Sequence, residues 1–143
     1  MTVASILNLK GREVATIAAD APLSEAVAQL AAKRIGALVV VDGNRRVEGI
    51  VSERDIVRAL GNTGAGILSD AISSIMTRNV VTCTESDSIN SLMERMTRGR
   101  FRHVPVIEDD RLAGLVSIGD VVKARIEEVE HEAEEMRTYI STV

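Results

Sequence analysis

The chain has 143 residues, enough for one compact domain. Its net charge of −4 is unevenly spread: residues 127–143 hold six Glu and one Arg, and the residues before them balance to +1. With no strongly basic stretch, one Phe, one Tyr and no Trp, it lacks the charge and the flat rings of a nucleic-acid binder.

Residues 1–13 read as a lead-in, with apolar Ile6 and Leu7 and a turn at Lys10, Gly11 and Arg12. A short strand is expected over 14–18, broken by Asp20 and Pro22. Ser24 suits an N-cap, with Leu23 before it as a staple residue. Ala26, Val27, Leu30 and Ala31 then follow at helical spacing up to a stop near Gly36. The apolar run 37–41 predicts a strand covered on both faces. Residues 42–45 form a turn, and 47–51 return as the second arm of a hairpin. Ser52 opens another helix, with Ile56, Val57 and Leu60 inward and Gly61 ending it.

Glycines 61, 64 and 66 suggest a flexible joint, and 67–76 has the spacing of an amphipathic helix. From residue 80 the order recurs: strand 80–84, helix about 88–98, strands 104–107 and 112–116, and a helix from Ser117. That last helix runs on. Ile126, Val129, Ala133, Met136 and Ile140 alternate spacings of three and four, the stripe of one apolar seam, with glutamates on the other face. Either a fold-back onto its own domain or a second chain can cover the stripe; both readings stand.

The recurrence is an internal repeat. Val14 aligns with Val80, Thr16 with Thr82, Ala37 with His103, Gly49 with Gly114, Ser52 with Ser117 and Asp55 with Asp120. Two copies predict a pseudo-twofold α/β domain with related clefts where they meet. The chain divides into 1–62 (lead-in and first copy), 63–79 (linker helix), 80–126 (second copy) and 127–143 (acidic C-terminal helix).

Catalytic and metal signatures are missing. His103 and His131 are the only histidines, and no nucleophile elbow, P-loop or dinucleotide fingerprint occurs, so no catalytic or metal residue is assigned. Cys83 stands alone and suits a small buried hydrophobe. No apolar run could span a bilayer and no leader follows Met1, so a cytoplasmic protein without membrane contact is expected.

The repeated Gly-x-x-Ser-x-x-Asp carries the chemistry: Gly49, Ser52 and Asp55, then Gly114, Ser117 and Asp120. A capping box is one reading, although that box prefers Glu or Gln. A carboxylate set to accept the two hydroxyl protons of a ribose, beside helix N–H groups open to phosphate, is the other. The residues alone leave both open. Arg54, Arg102 and His103 are phosphate candidates, since the guanidinium fork matches phosphate. An unperturbed His103 titrates near neutrality, so a phosphate contact through it would weaken as pH rises.

Residues 34–42 and 49–55 resemble the signature of a cystathionine-β-synthase (CBS) domain. Residues 102–106 and 117–120 resemble the second member of a CBS pair, and Ile75, Met76 and Thr77 its lead-in. The resemblance covers about residues 4–126. It implies two pseudo-twofold β-α-β-β-α CBS repeats forming one Bateman module, with a C-terminal helix added.

It also implies a non-catalytic regulatory module in signal transduction or energy and redox sensing. Such modules bind AMP foremost, or NAD(H), ATP or S-adenosylmethionine, and dimerise into a disc. Asp55 and Asp120 would hold ribose, and Ser52 and Ser117 would sit near ribose or phosphate. Thr16, Ile17 and Ala18 with Gly36, Ala37 and Leu38 would enclose adenine in one copy. Thr82, Cys83 and Thr84 with Arg102, His103 and Val104 would do so in the other. Arg54 in one copy against Arg102, His103 and Gly119 in the other makes the clefts unequal, so AMP could take one and NAD(H) the other. A homodimer through the CBS faces or the last helix is expected, with the downstream protein target open. The rival is a ligand-free dimerisation module in which both Ser-x-x-Asp turns only cap helices.

Overall fold

The computed structural model of the chain describes residues 1–142; Val143, which the sequence reading places on the last helix, lies outside the described residues. The lead-in is itself a helix, α1 (Val3–Lys10), closed by Gly11 at φ 97°, a conformation open to glycine. Its apolar positions Val3, Ile6 and Leu7 share one face, and all are buried.

The first copy then runs β1 (Thr16–Ile17), α2 (Leu23–Lys33), β2 (Ala37–Val41), β3 (Val47–Ser52) and α3 (Glu53–Thr63). β1 pairs parallel to β2, and β2 antiparallel to β3, giving the sheet order β1-β2-β3. The second copy has α4 (Ile89–Gly99), β4 (His103–Glu108), β5 (Arg111–Ser117) and α5 (Ile118–Thr142), with β4 and β5 antiparallel. The two copies bury helices by the same rule. Leu23, Ala26 and Leu30 of α2 face one core, and Ile89, Leu92 and Met96 of α4 face the other. These are spacings of three and four, the inward stripe of an amphipathic helix.

Several local expectations give way to longer-range partners. Ser24 does not cap α2. Pro22 holds that place, and the Leu23 N–H donates to the Asp70 carbonyl at 2.9 Å, so the linker supplies the partner a cap would have given. α2 closes on Arg34, left-handed at φ 54°, before Gly36 is reached. α3 passes through Gly61 and ends at Gly64 (φ 95°), which leaves a shorter joint than three glycines suggested.

The expected helix over 67–76 is instead two 3-10 turns, Ala65–Ser69 and Ile72–Ser74. Between them Asp70 and Ala71 are extended, because Ala71 bridges Pro22 and the Ile72 N–H donates to the Ala21 carbonyl. Ile67 and Ile72 still reach the first core. The strand expected over 80–84 reduces to Cys83 bridging Val106, and β1 is shorter than the expected 14–18.

The lead-ins exchange copies. Val3, Ile6 and Leu7 of α1 pack into the core of the second copy, with Leu92, Met96, Val104, Val116 and Val121. The segment ahead of the second copy lies on the first, where Met76 joins its core and Thr77 pairs with Ile50 through two backbone hydrogen bonds (3.0 and 2.9 Å). Each crossing falls on a glycine. A Cβ at Gly49 would stand 2.8 Å from both the Thr77 carbonyl oxygen and the Met76 sulfur; one at Gly114 would stand 2.8 Å from Leu7 Cδ1.

The fold-back reading of the last helix fails. Along α5 Ile126, Met136 and Ile140 are 53, 60 and 66% exposed, so among the described residues nothing covers the stripe. Among the described residues no helix is long and apolar enough to cross a membrane.

Gly49→Ala is expected to destabilise the protein by about 1–3 kcal/mol, the usual range for overpacking, because a backbone oxygen blocks the new methyl. Gly114→Ala should cost less, since only the movable methyls of Leu7 stand in the way. Urea denaturation of both variants checks the order.

Candidate functional site

Strands β3 and β5 end on Ser52 and Ser117, and helices α3 and α5 begin on the next residue. The Ser52 hydroxyl accepts the Asp55 N–H at 3.2 Å, and the Ser117 hydroxyl accepts the Asp120 N–H at 3.1 Å. The carboxylates reach back. Asp55 Oδ2 accepts the Ser52 N–H (2.9 Å) and hydroxyl (3.0 Å), and Asp120 Oδ2 accepts the Ser117 N–H (2.9 Å). Aspartate thus closes both boxes. Each does so through one oxygen, and among the described residues Oδ1 accepts nothing. Capping and holding a diol are therefore compatible for the same side chain.

Two of the cavities between the copies lie at the Ser-x-x-Asp turns, and each draws on both copies. The first, about 510 Å³, has Ser52, Arg54 and Asp55 of copy one facing Arg100, Arg102 and His103 of copy two, with Thr77 beside them. The second, about 610 Å³, has Leu115 and Ser117 of copy two facing Lys33, Ile35 and Ala37 of copy one, with Val14 and Ala15 beside them. Gly36 and His103 line both. A Cβ on Gly36 would sit 3.7 Å from the imidazole, so the wall between the cavities is thin.

The two carboxylates differ in their company. Lys10, at the end of α1, donates to Asp120 Oδ2 at 2.7 Å and to the Leu115 carbonyl at 2.9 Å. Burial raises the Asp120 pKa, but the Lys10 hydrogen bond, the Ser117 N–H and the Lys10 charge together outweigh it and hold the carboxyl below its ordinary value. Among the described residues no cation is paired with Asp55 in this way. Burial lowers the pKa of His103, as do the charges of Lys10 and Arg102, against the pull of Asp120 and Glu53. The ring is thus perturbed from the ordinary histidine value in the direction that favours its neutral form. Burial also lifts the Cys83 thiol to about 12, which keeps it unreactive.

Not every residue singled out in the sequence meets these cavities. Thr16, Ile17 and Ala18 line a separate open depression near Asp42 and Gly43. The register explains it. β1 runs parallel to β2 with Thr16 opposite Val39, so only Val14 and Ala15 are level with Ala37 at the cavity end. Thr82 lies in a shallow hollow with Arg46 and Arg78. Cys83, Leu38 and Val104 are core residues. The Thr84 N–H donates to the Asp87 carboxylate, and Gly119 is exposed on the first turn of α5. Sequence reading missed Lys10, Lys33, Arg58, Thr77 and Arg100. Arg58 was signalled by its place four residues after Arg54 on one helix face. Lys10 had no local signal, since its partner is 110 residues away.

Comparison with known proteins places this architecture. The model of the family described as CBS domain matches residues 6–62 and 72–127. A mitochondrial CBS domain-containing protein of Arabidopsis thaliana is 33% identical across 97% of this chain and 71% of its own length. A CBS-domain containing protein of Agrobacterium tumefaciens superposes with a TM-score of 0.84 at 50% identity, covering 87% of this chain and 99% of its own. A CBS domain pair in complex with 5′-methylthioadenosine and S-adenosyl-L-methionine superposes at 0.75 with 26% identity, covering 90% and 98%. A CBS domain protein of Pyrobaculum aerophilum complexed with AMP superposes at 0.75 with 28% identity, covering 84% and 89%.

The Lys10–Asp120 pair should show itself against pH. A carboxyl whose folded pKa is depressed adds stability above its unfolded value, and that contribution is lost as pH falls through the folded value. The stability gap between the protein and Lys10→Met should therefore be open above about pH 4 and close under more acidic conditions. Denaturation midpoints from pH 7 to pH 2 measure it; a gap that does not vary with pH assigns Lys10 a packing role only.

Proposed function

We propose, because the chain belongs to the CBS-domain family as a tandem pair, that it is a non-catalytic sensor of an adenosine ligand. The observation that carries this reading is Asp55. It caps its helix through Oδ2 and leaves Oδ1 unengaged at a cavity of about 510 Å³, within the size range of small-molecule sites. An ammonium already pairs with the matching carboxylate of Asp120, so the first cleft is the primary site.

Ribose hydroxyls would meet Asp55, phosphate the start of α3, and adenine the apolar surfaces of Ile50 and Phe101. The relatives complexed with AMP, and with 5′-methylthioadenosine and S-adenosyl-L-methionine, support this ligand chemistry. AMP is the first candidate, followed by NAD(H), ATP and S-adenosylmethionine. Ligand would bias the relative setting of the two copies by its differential affinity for their arrangements, and a partner protein in the cytoplasm would read that bias. A second reading draws on the uncovered stripe of α5: the chain acts as a dimerisation module through that helix and takes no ligand.

Thermal shift and calorimetry with AMP, ATP, NADH and S-adenosylmethionine separate the two readings. Ligand at a hundred times its Kd should add roughly 2.7 kcal/mol to folded stability. Asp55→Ala should weaken the first cleft's ligand at least tenfold, while Asp120→Ala should not, because Asp120 lines a separate small hollow with Lys10, Lys123 and Glu127 rather than either cavity between the copies. No response to any of the four would leave the dimerisation module.

A further inference from the structure

We infer that the first cleft selects a nucleoside di- or triphosphate over a monophosphate, and that Arg58 and Arg100 make the selection. The inference rests on the adenosine reading of that cleft. Four arginines line this one cavity: Arg54 and Arg58 on α3, and Arg100 and Arg102 just ahead of β4. None of the four makes an ion pair or a side-chain hydrogen bond among the described residues. Six of the ten arginines outside the cavity are engaged, as Arg12 is by Glu85, Arg95 by Asp87 and Arg98 by Glu94; the other four are scattered, whereas these four converge on one hollow.

The carboxylates in the same cavity are Glu53 and Asp55. The balance is two positive charges, and His103 is shifted toward its neutral form. Like charges facing one hollow repel, and a polyanion that fits among them relieves the repulsion. Monophosphate has too few oxygens to engage four planar forks, whereas a di- or triphosphate chain can meet them in pairs. Placement agrees. Asp55 and Arg58 are three residues apart on one helix, about 4.5 Å along its axis, so with the first phosphate at the start of α3 the outer phosphates of a longer chain have Arg58, one turn along, as a partner. The second cavity offers no such excess. Its cations are Lys10 and Lys33, facing Glu13, and Asp120 already engages Lys10.

Calorimetry on the full chain in EDTA, with adenosine, AMP, ADP, ATP and inorganic tripolyphosphate as probes, tests this. ATP is expected to bind at least tenfold tighter than AMP, and Arg58→Gln with Arg100→Gln should bring that ratio below about three. The charge reversal Arg58→Glu should weaken ATP further. An AMP affinity equal to that of ATP, or a ratio untouched by the arginine changes, overturns the inference and leaves the adenosine reading intact. Tripolyphosphate bound in an arginine-dependent way with every adenosine ligand ignored overturns the adenosine reading, and the nucleoside part of the inference with it. No binding of any probe overturns both.

Discussion

Each copy of this fold is closed by the chain that leads into the other. α1 lies across β5 and puts Leu7 over Gly114, and Met76 and Thr77 lie across β3 over Gly49. A side chain at either glycine would stand inside the van der Waals contact of what crosses it. The exchange fixes how the copies meet. The helix starts at Ser52 and Ser117 then face the β4 and β2 ends of the opposite copy, and both cavities become composites. The first core also borrows from the linker, through Ile67, Ile72 and Met76. Neither copy forms either cavity by itself.

Within that frame the two halves diverge at one structural position. Beside Ile50 the crossing segment offers Thr77, whose backbone pairs with the strand and leaves Asp55 without a cation. Beside Leu115 the crossing segment offers Lys10. Its ammonium takes the carbonyl of the strand and the carboxylate of Asp120 together. Duplication supplied the same Ser-x-x-Asp turn twice, and the lead-ins gave the two carboxylates different company. The basic residues follow the same division, with the arginines gathered around the cavity whose carboxylate is unpaired by any cation.

The parts legible in the sequence were the parts decided locally. The continuous apolar run of β2, the three-four spacing of α2, and the Ser52–Asp55 and Ser117–Asp120 turns depend on neighbours within a few residues. The parts that escaped depend on distant backbone. Ser24 had the right chemistry for a cap, but the Asp70 carbonyl arrived first. Residues 80–84 alternate like a strand, yet only Cys83 keeps a partner. Thr16–Ala18 missed the cavity by two residues, because the offset of a parallel pair is set in three dimensions. The repeat showed which residues are equivalent, but it grouped them by copy, whereas the cavities group them across copies.

One imidazole separates the two hollows. His103 faces both, and across from it Gly36 contributes no side chain to thicken the wall. A turn of that ring would widen one hollow at the expense of the other. Thermodynamic linkage makes such cross-talk mutual: whatever occupancy on one side does to affinity on the other, the reverse holds by the same factor. With so slender a divider, a molecule that moved the ring from one side would be felt on the other.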